Sequence, residues 1–350
     1  FNYNAVIGTA MDRYFETTLI GSLPYGNAKT ALDKILDGRV TYPAWPQLPA
    51  LGYSESMYVQ TGCYLPGIEI DENAKRISAD TVNYDPTEIY TAILSGNLSY
   101  FGHPDKYHRG LYEFILRDLS KYKAVKGQVT GPISEGLQIL DKNGRPVIYD
   151  DTYSEIVRRT VNMAAKWQAN GLTKCNGNVI MFFDEPSLTL LGTPFASISN
   201  DTAKEWINES MEGLECDKAI HCCGNTDWSL VLGTNIDILS FDAYAYGHTV
   251  AMFPDEVSGF LERGGTLSWG LIPSSDETVE SENSDNLVKI FKENINALVK
   301  KGINEDMIIR RSMVTPQCGL GGLDVKNADK ALNMLSEVSN AMRAHYGVGE

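Results

Sequence analysis

Short β-prone runs alternate with helical patterns along most of this chain, and that alternation limits the folds open to it. Seven runs stand out, over residues 17–20, 123–129, 178–183, 219–220, 236–241, 265–269 and 307–314. Helical apolar spacing recurs between them, most plainly over 28–36, 152–169, 202–211, 287–299 and 331–342. Tyr42-Pro43-Ala44-Trp45 supplies an eighth extended segment. Such βα alternation implies a parallel sheet. Eight units in a chain of 350 residues fit a (β/α)8 TIM barrel better than an open sheet. No Gly-x-Gly-x-x-Gly follows the first run, which counts against a dinucleotide-binding fold. Residues 68–70 and 76–78 flank Asp71-Glu72-Asn73 and read as a hairpin excursion after the second strand. Residues 1–16 read as an N-terminal extension, with Met11 as a candidate start, and 17–345 as the barrel. Asn170-Gly171 is expected to stop the long helix. Residues 274–285 are expected to form a polar, acidic loop.

The charge balance narrows the partners. Acidic residues outnumber basic ones by 45 to 30, a net charge of -15, which argues against nucleic acid and against an anionic membrane surface. No apolar run reaches membrane-spanning length, and no signal-peptide pattern opens the chain. Six cysteines over this length do not make a disulfide scaffold, so a reducing, cytoplasmic setting is expected.

Chemistry in a barrel of this kind gathers at the C-terminal ends of the strands. Those ends carry Ser22, Gln128, Asp184 and Glu185, His221 and Cys223, Asp242, Trp269 and the loop around Cys318. His221 and Cys223 stand two apart, so a strand aims both side chains to one side. Imidazole and thiolate are two ordinary zinc ligands, and Cys318 is the best candidate for a third. Two ligands on one strand and one on a distant loop suit a catalytic site with an open position. The structural alternative stays open: a buried Cys packs as a small hydrophobe, and a His at a strand end is often only hydrogen-bonded. Ser22 equally serves as a cap, and Gln128 as a partner for backbone groups. Asp184 and Glu185 are adjacent, so one faces inward. Asp184 is expected there, with Glu185 taken up by a loop hydrogen bond or an arginine.

Six segments in order resemble the superfamily of cobalamin-independent methionine synthases, uroporphyrinogen decarboxylases and methylcobamide:thiol methyltransferases. They are Gly21-Ser22-Leu23-Pro24, Lys126-Gly127-Gln128-Val129-Thr130-Gly131-Pro132, Asp184-Glu185-Pro186-Ser187-Leu188, His221-Cys222-Cys223-Gly224-Asn225, Trp269-Gly270-Leu271-Ile272-Pro273 and Cys318-Gly319-Leu320. The resemblance runs from about residue 17 to about residue 340. It implies zinc held by His221, Cys223 and Cys318, which would then be catalytic by turning an acceptor thiol into a thiolate. Where the methionine synthases place a Glu as a further ligand, this chain has Asp242, whose shorter arm leaves the fourth ligand open. The resemblance also implies homocysteine as acceptor, with Ser22, Asp184 and Gln128 binding it and Asp184 holding its ammonium. A single barrel is similar to the short core form of the synthases, which implies a methylated corrinoid protein as methyl donor and methionine as product. Coenzyme M is the alternative acceptor. Its sulfonate wants cations, for which Arg310 and Arg311 on the last strand are candidates. A metal-free, decarboxylase-like protein that binds a tetrapyrrole is the remoter alternative.

Overall fold

The structure, a computed structural model, describes residues 11–349; residues 1–10 of the expected N-terminal extension lie outside them. Ten strands form among the described residues. In chain order they are β1 (Glu16–Thr17), β2 (Ile68–Asp71), β3 (Arg76–Ala79), β4 (Val125–Thr130), β5 (Leu140–Asp141), β6 (Val179–Asp184), β7 (Asp217–Cys222), β8 (Ile238–Asp242), β9 (Thr266–Ile272) and β10 (Ser312–Pro316). Seven of them make one parallel sheet in the order β1-β10-β9-β8-β7-β6-β4. Strands β4, β6, β8, β9 and β10 are buried throughout, as expected of parallel strands with both faces covered. The antiparallel β2–β3 hairpin stands apart with β5 as the predicted excursion.

The two edge strands, β1 and β4, share a neighbour. The Tyr42 N–H donates to the Thr17 carbonyl at 2.8 Å, and the Lys126 N–H donates to the Pro43 carbonyl at 2.9 Å. Ala44 bridges Lys126 and Gln47 bridges Ser22, both in the parallel sense. The sheet therefore curls until residues 42–47 stand between its edges. This segment does not become the regular eighth strand predicted from the sequence. Pro43 and Pro46 have no N–H to give to a ladder, so isolated bridges form instead.

Ile20, Tyr42, Ala124, Ile180, Phe182, Ala219, Ile238 and Met313 form an apolar cluster of their own. All but Tyr42 stand two residues or a small multiple of two from the polar positions at the strand ends, so they fill the inside of the curled sheet below those positions. A second, larger core lies between the sheet and the helices. Truncating a fully buried member of the inner cluster, Phe182, to Ala should cost about 3–5 kcal/mol.

Several predicted elements shift. The long helix runs Asp151–Thr173, through Asn170-Gly171, because Gln168, Ala169 and Leu172 continue its buried face. That packing outweighs the roughly 1 kcal/mol that an interior glycine costs. The expected loop over 274–285 contains a helix, Asp276–Ser281. Residues 307–311 are not strand. Asn304 caps a helix, Glu305–Arg310, by accepting from the Met307 N–H at 3.0 Å, and Glu305 and Asp306 fill its first turn. Arg310 and Arg311 therefore precede β10 and lie at its N-terminal end. Among the described residues no helix is long and apolar enough to cross a membrane.

Candidate metal centre

The C-terminal ends of the parallel strands carry the polar groups. Register places Asp184 of β6 beside His221 of β7, His221 beside Ser240 of β8, and Ser240 beside Ser268 of β9. All four side chains belong to one level of the sheet, immediately above the apolar filling. Thr130 of β4 pairs with Asp184 at the same level.

His221, Cys223 and Cys318 come together: one nitrogen and two sulfurs, all within 4.8 Å of one another. The imidazole is buried, and Nδ1 lies 2.9 Å from Ser240 Oγ. Nε2 is also buried and has no hydrogen-bond partner. Such an orphan is costly unless something else meets it. The Cys318 thiol first, and the His221 imidazole beside it, pull the Cys223 thiol down toward thiolate, against its burial. An unpartnered imidazole nitrogen with two adjacent sulfurs is a donor set that suits zinc. Three protein donors would leave a fourth position open.

Cys222 takes no part. Strand alternation turns it into the core, where its Sγ lies 3.6 Å from the Gly224 carbonyl and burial pushes its thiol up to about 12. Cys318 reaches the centre because its loop docks on Ser22, in the segment that follows β1. Leu320 N–H donates to the Ser22 carbonyl at 2.9 Å, and Gly321 N–H donates to Ser22 Oγ at 3.2 Å. The docking favours Gly319, since a Cβ there would stand 2.1 Å from Ser22 Oγ and force that hydroxyl to turn away. Ser22 is thus half-buried at the rim and anchors the cysteine loop.

Asp184 faces inward, with Oδ1 buried and unpartnered. Burial pushes its carboxyl up, while Lys126 and then His221 oppose that. Glu185 turns the other way and accepts from Ile133 N–H at 2.9 Å, Ser134 N–H at 2.8 Å and Ser134 Oγ at 2.7 Å. It therefore seats the N-terminus of the Pro132–Gln138 helix, where a loop hydrogen bond or an arginine was expected. Burial still pushes it up to about 7.

Two expected site residues are already occupied. The Gln128 amide is buried, with Oε1 accepting from Lys126 Nζ at 2.9 Å and Nε2 donating to the Trp45 carbonyl at 3.0 Å. Asp242 caps the Ala243–Val250 helix by accepting from the Ala245 N–H at 2.8 Å. Its two oxygens also receive Gln317 Nε2, each at 3.1 Å. Asp242 is not one of the three clustered groups.

Three participants escaped the sequence reading. Lys126 is fully buried, with Nζ donating to the Ile20 carbonyl at 2.7 Å and standing 4.2 Å from the centre of the Phe182 ring. Burial pulls its ammonium down, and Asp184 opposes that. Ser240 holds His221, and Gln317 ties the cysteine loop to Asp242. The period of two carried a signal for the first two. Lys126 stands two before Gln128, and Ser240 two before Asp242, so both share the inward face of their strands.

No family model and no curated relative matches this chain. Solved structures do. One is a B12-independent methionine synthase from Shewanella sp. W3-18-1 in complex with selenomethionine. It is 15% identical, with a TM-score of 0.58 over 95% of this chain and 98% of that one. Another is a methyltransferase from Methanosarcina mazei, 12% identical, with a TM-score of 0.55 over 95% of this chain and 94% of that one. At these identities the likeness is one of fold.

Proposed function

We propose that this protein moves a methyl group from a methylated corrinoid, carried on a partner protein, to the thiol of homocysteine, giving methionine. His221, Cys223 and Cys318 would hold one zinc. The observation that carries the reading is the imidazole–dithiol cluster at the strand ends, with a buried Nε2 left unpartnered. Structures of similar fold include a methionine synthase and a methyltransferase, in agreement with methyl transfer. We also read residues 42–47 as the eighth stave of a (β/α)8 barrel, which makes the site its mouth.

Zinc, when bound, supplies the Lewis acidity that keeps an acceptor thiol deprotonated at neutral pH. The chain's own residues do the rest. Cys318 draws Cys223 toward thiolate and is itself pushed up in return, so the pair would share a proton that zinc binding releases. Asp184 has a free Oδ1, one strand from His221, to receive an ammonium. The buried charge of Lys126 opposes its protonation. Ser22, beside the Cys318 loop, would meet the carboxylate of the amino acid. The corrinoid would supply the methyl and, by keeping the bonding pair as Co(I), the leaving group. Holding acceptor and donor in line can lower such a barrier by up to roughly 7–11 kcal/mol. A sulfonate acceptor is less well served. Arg310 and Arg311 lie at the other end of β10, and Lys126 is held by Ile20 and Gln128.

The test is metal content, then acceptor choice. Elemental analysis should find about one zinc per chain after dialysis, as the donor set requires. Methylcobalamin with homocysteine should then yield methionine, in a reaction that stops on chelation and runs faster than with coenzyme M. A protein that takes up no zinc after anaerobic reconstitution would sink the reading.

A further inference from the structure

We infer that Ser240 is a positioning residue of the metal centre, fixing the tautomer and orientation of His221; this rests on the reading that His221, Cys223 and Cys318 hold zinc. Ser240 is fully buried on β8, directly beside His221 in register. Its Oγ lies 2.9 Å from Nδ1, within hydrogen-bond distance of that ring nitrogen. An imidazole ligates through a nitrogen that carries no proton. Ligation through the unpartnered Nε2 therefore requires the proton on Nδ1, where Ser240 Oγ is the acceptor for it. Without that acceptor the ring is free to rotate, and either nitrogen can carry the proton. The hydroxyl thus acts on the metal only through His221.

The next strand supplies a control. Ser268 of β9 pairs with Ser240 and is equally buried, yet its Oγ has no hydrogen-bond partner. Two serines of the same size and burial differ in whether they touch the ligand ring. If packing or general polarity mattered, both would matter. If the inference holds, Ser240 alone does.

The experiment uses the full chain loaded with zinc, and follows metal release to an excess of a colorimetric chelator. Ser240→Ala should release zinc faster, or bind it more weakly, by roughly 10–100-fold. Ser240→Thr, which returns a hydroxyl, should recover most of that loss. Ser268→Ala should match the wild type. In cobalt-loaded protein, Ser240→Ala should also shift the visible absorption bands, and Ser268→Ala should not. Zinc release from Ser240→Ala within about twofold of the wild type would overturn the inference, as would equal loosening by Ser268→Ala. A wild type that holds no zinc would instead sink the metal reading itself, so the two failures are distinguishable.

Discussion

His103 and His221 are both almost wholly buried, at 1% and 3% exposure, yet they are finished differently. His103 belongs to a saturated network in the helical wall. Gln168 Oε1 accepts from Trp45 Nε1 at 2.9 Å and from the Gln128 N–H at 2.8 Å. Its amide NH2 must therefore donate to His103 Nε2 at 2.9 Å and to the Gln128 carbonyl at 3.1 Å. His103 is then a neutral ring with its proton on Nδ1, facing Tyr64 Oη at 2.7 Å and the Phe101 carbonyl at 3.2 Å. The ring is also stacked between Trp167 and His108, with centroids 4.5 and 4.3 Å away. Around His221 the count does not close, since Nε2 is left over and so is Asp184 Oδ1. Burial of a histidine is common to both. The unused nitrogen is what fits His221, and not His103, to the ligand role proposed for it.

That contrast can be broken by matched variants. His221→Ala should abolish zinc binding, and should cost the metal-free protein less in urea unfolding than His103→Ala does, since it removes a buried nitrogen that has no partner. His103→Ala should keep the zinc and cost about 2–4 kcal/mol, from an aromatic-lined void and stranded Gln168 and Tyr64 groups. Zinc loss from His103→Ala as complete as from His221→Ala would erase the distinction between the two histidines.

The chain itself revealed one of these histidines and not the other, for a physical reason. His221 was legible because Cys223 stands two residues away, and a strand must turn both to one side. Asp184 was legible because a strand end forces one of two adjacent acids inward. The partners of His103 lie at residues 64, 101 and 168, and no local period links them. Ser240 and Lys126 shared the inward face of their strands, but a lone Ser or Lys in an apolar run carries no chemistry until its partner across the sheet is known. The alternation of strands and helices gave the parallel sheet, while the detail of residues 42–47 depended on how two prolines met two edge strands. Residues 307–311 misread as strand because their apolar run is short enough to suit either element, and the Asn304 cap decides it.

The saturated side of the comparison also sets an acid limit. Burial pulls His108 down to about 4 and takes His103 well below its usual range. Between pH 6.5 and 4 the unfolded chain binds a proton at His108 that the folded protein refuses. Stability from this group is therefore present above pH 6.5 and lost as pH falls toward 4, by about 3 kcal/mol. Glu185 has the opposite sign in the same window. Its carboxyl is raised, so its contribution falls as pH rises from 4.5 to about 7. A difference measurement isolates the histidine. His108→Asn keeps a donor for the Pro104 carbonyl, which Nδ1 meets at 2.9 Å, and removes the titration. Urea unfolding of wild type and variant at pH 7 and pH 4 should show a wild-type acid loss that is larger by that amount. Equal losses would mean that His108 is protonated in the folded state.

The smallest effect is expected at the far end of β10, and it sharpens the comparison by being absent. Arg310 lies 3.2 Å from Asp12 and 3.6 Å from Asp306, on the surface of the helix that precedes the strand. Arg311 meets the Met11 carbonyl at 3.0 Å and Asp12 at 3.8 Å. The strand Ser312–Pro316 separates both from Cys318, a span of roughly 16 Å at the usual rise per residue. A charge that far off, exposed and screened by salt, exerts little on an acceptor at the strand ends. Arg310→Ala should therefore leave kcat/KM unchanged for homocysteine and for a sulfonate thiol alike, at low and at high salt. A selective loss with the sulfonate thiol would place an anion-binding role at the end of the sheet where the geometry offers the cluster no access, and would reopen the choice of acceptor.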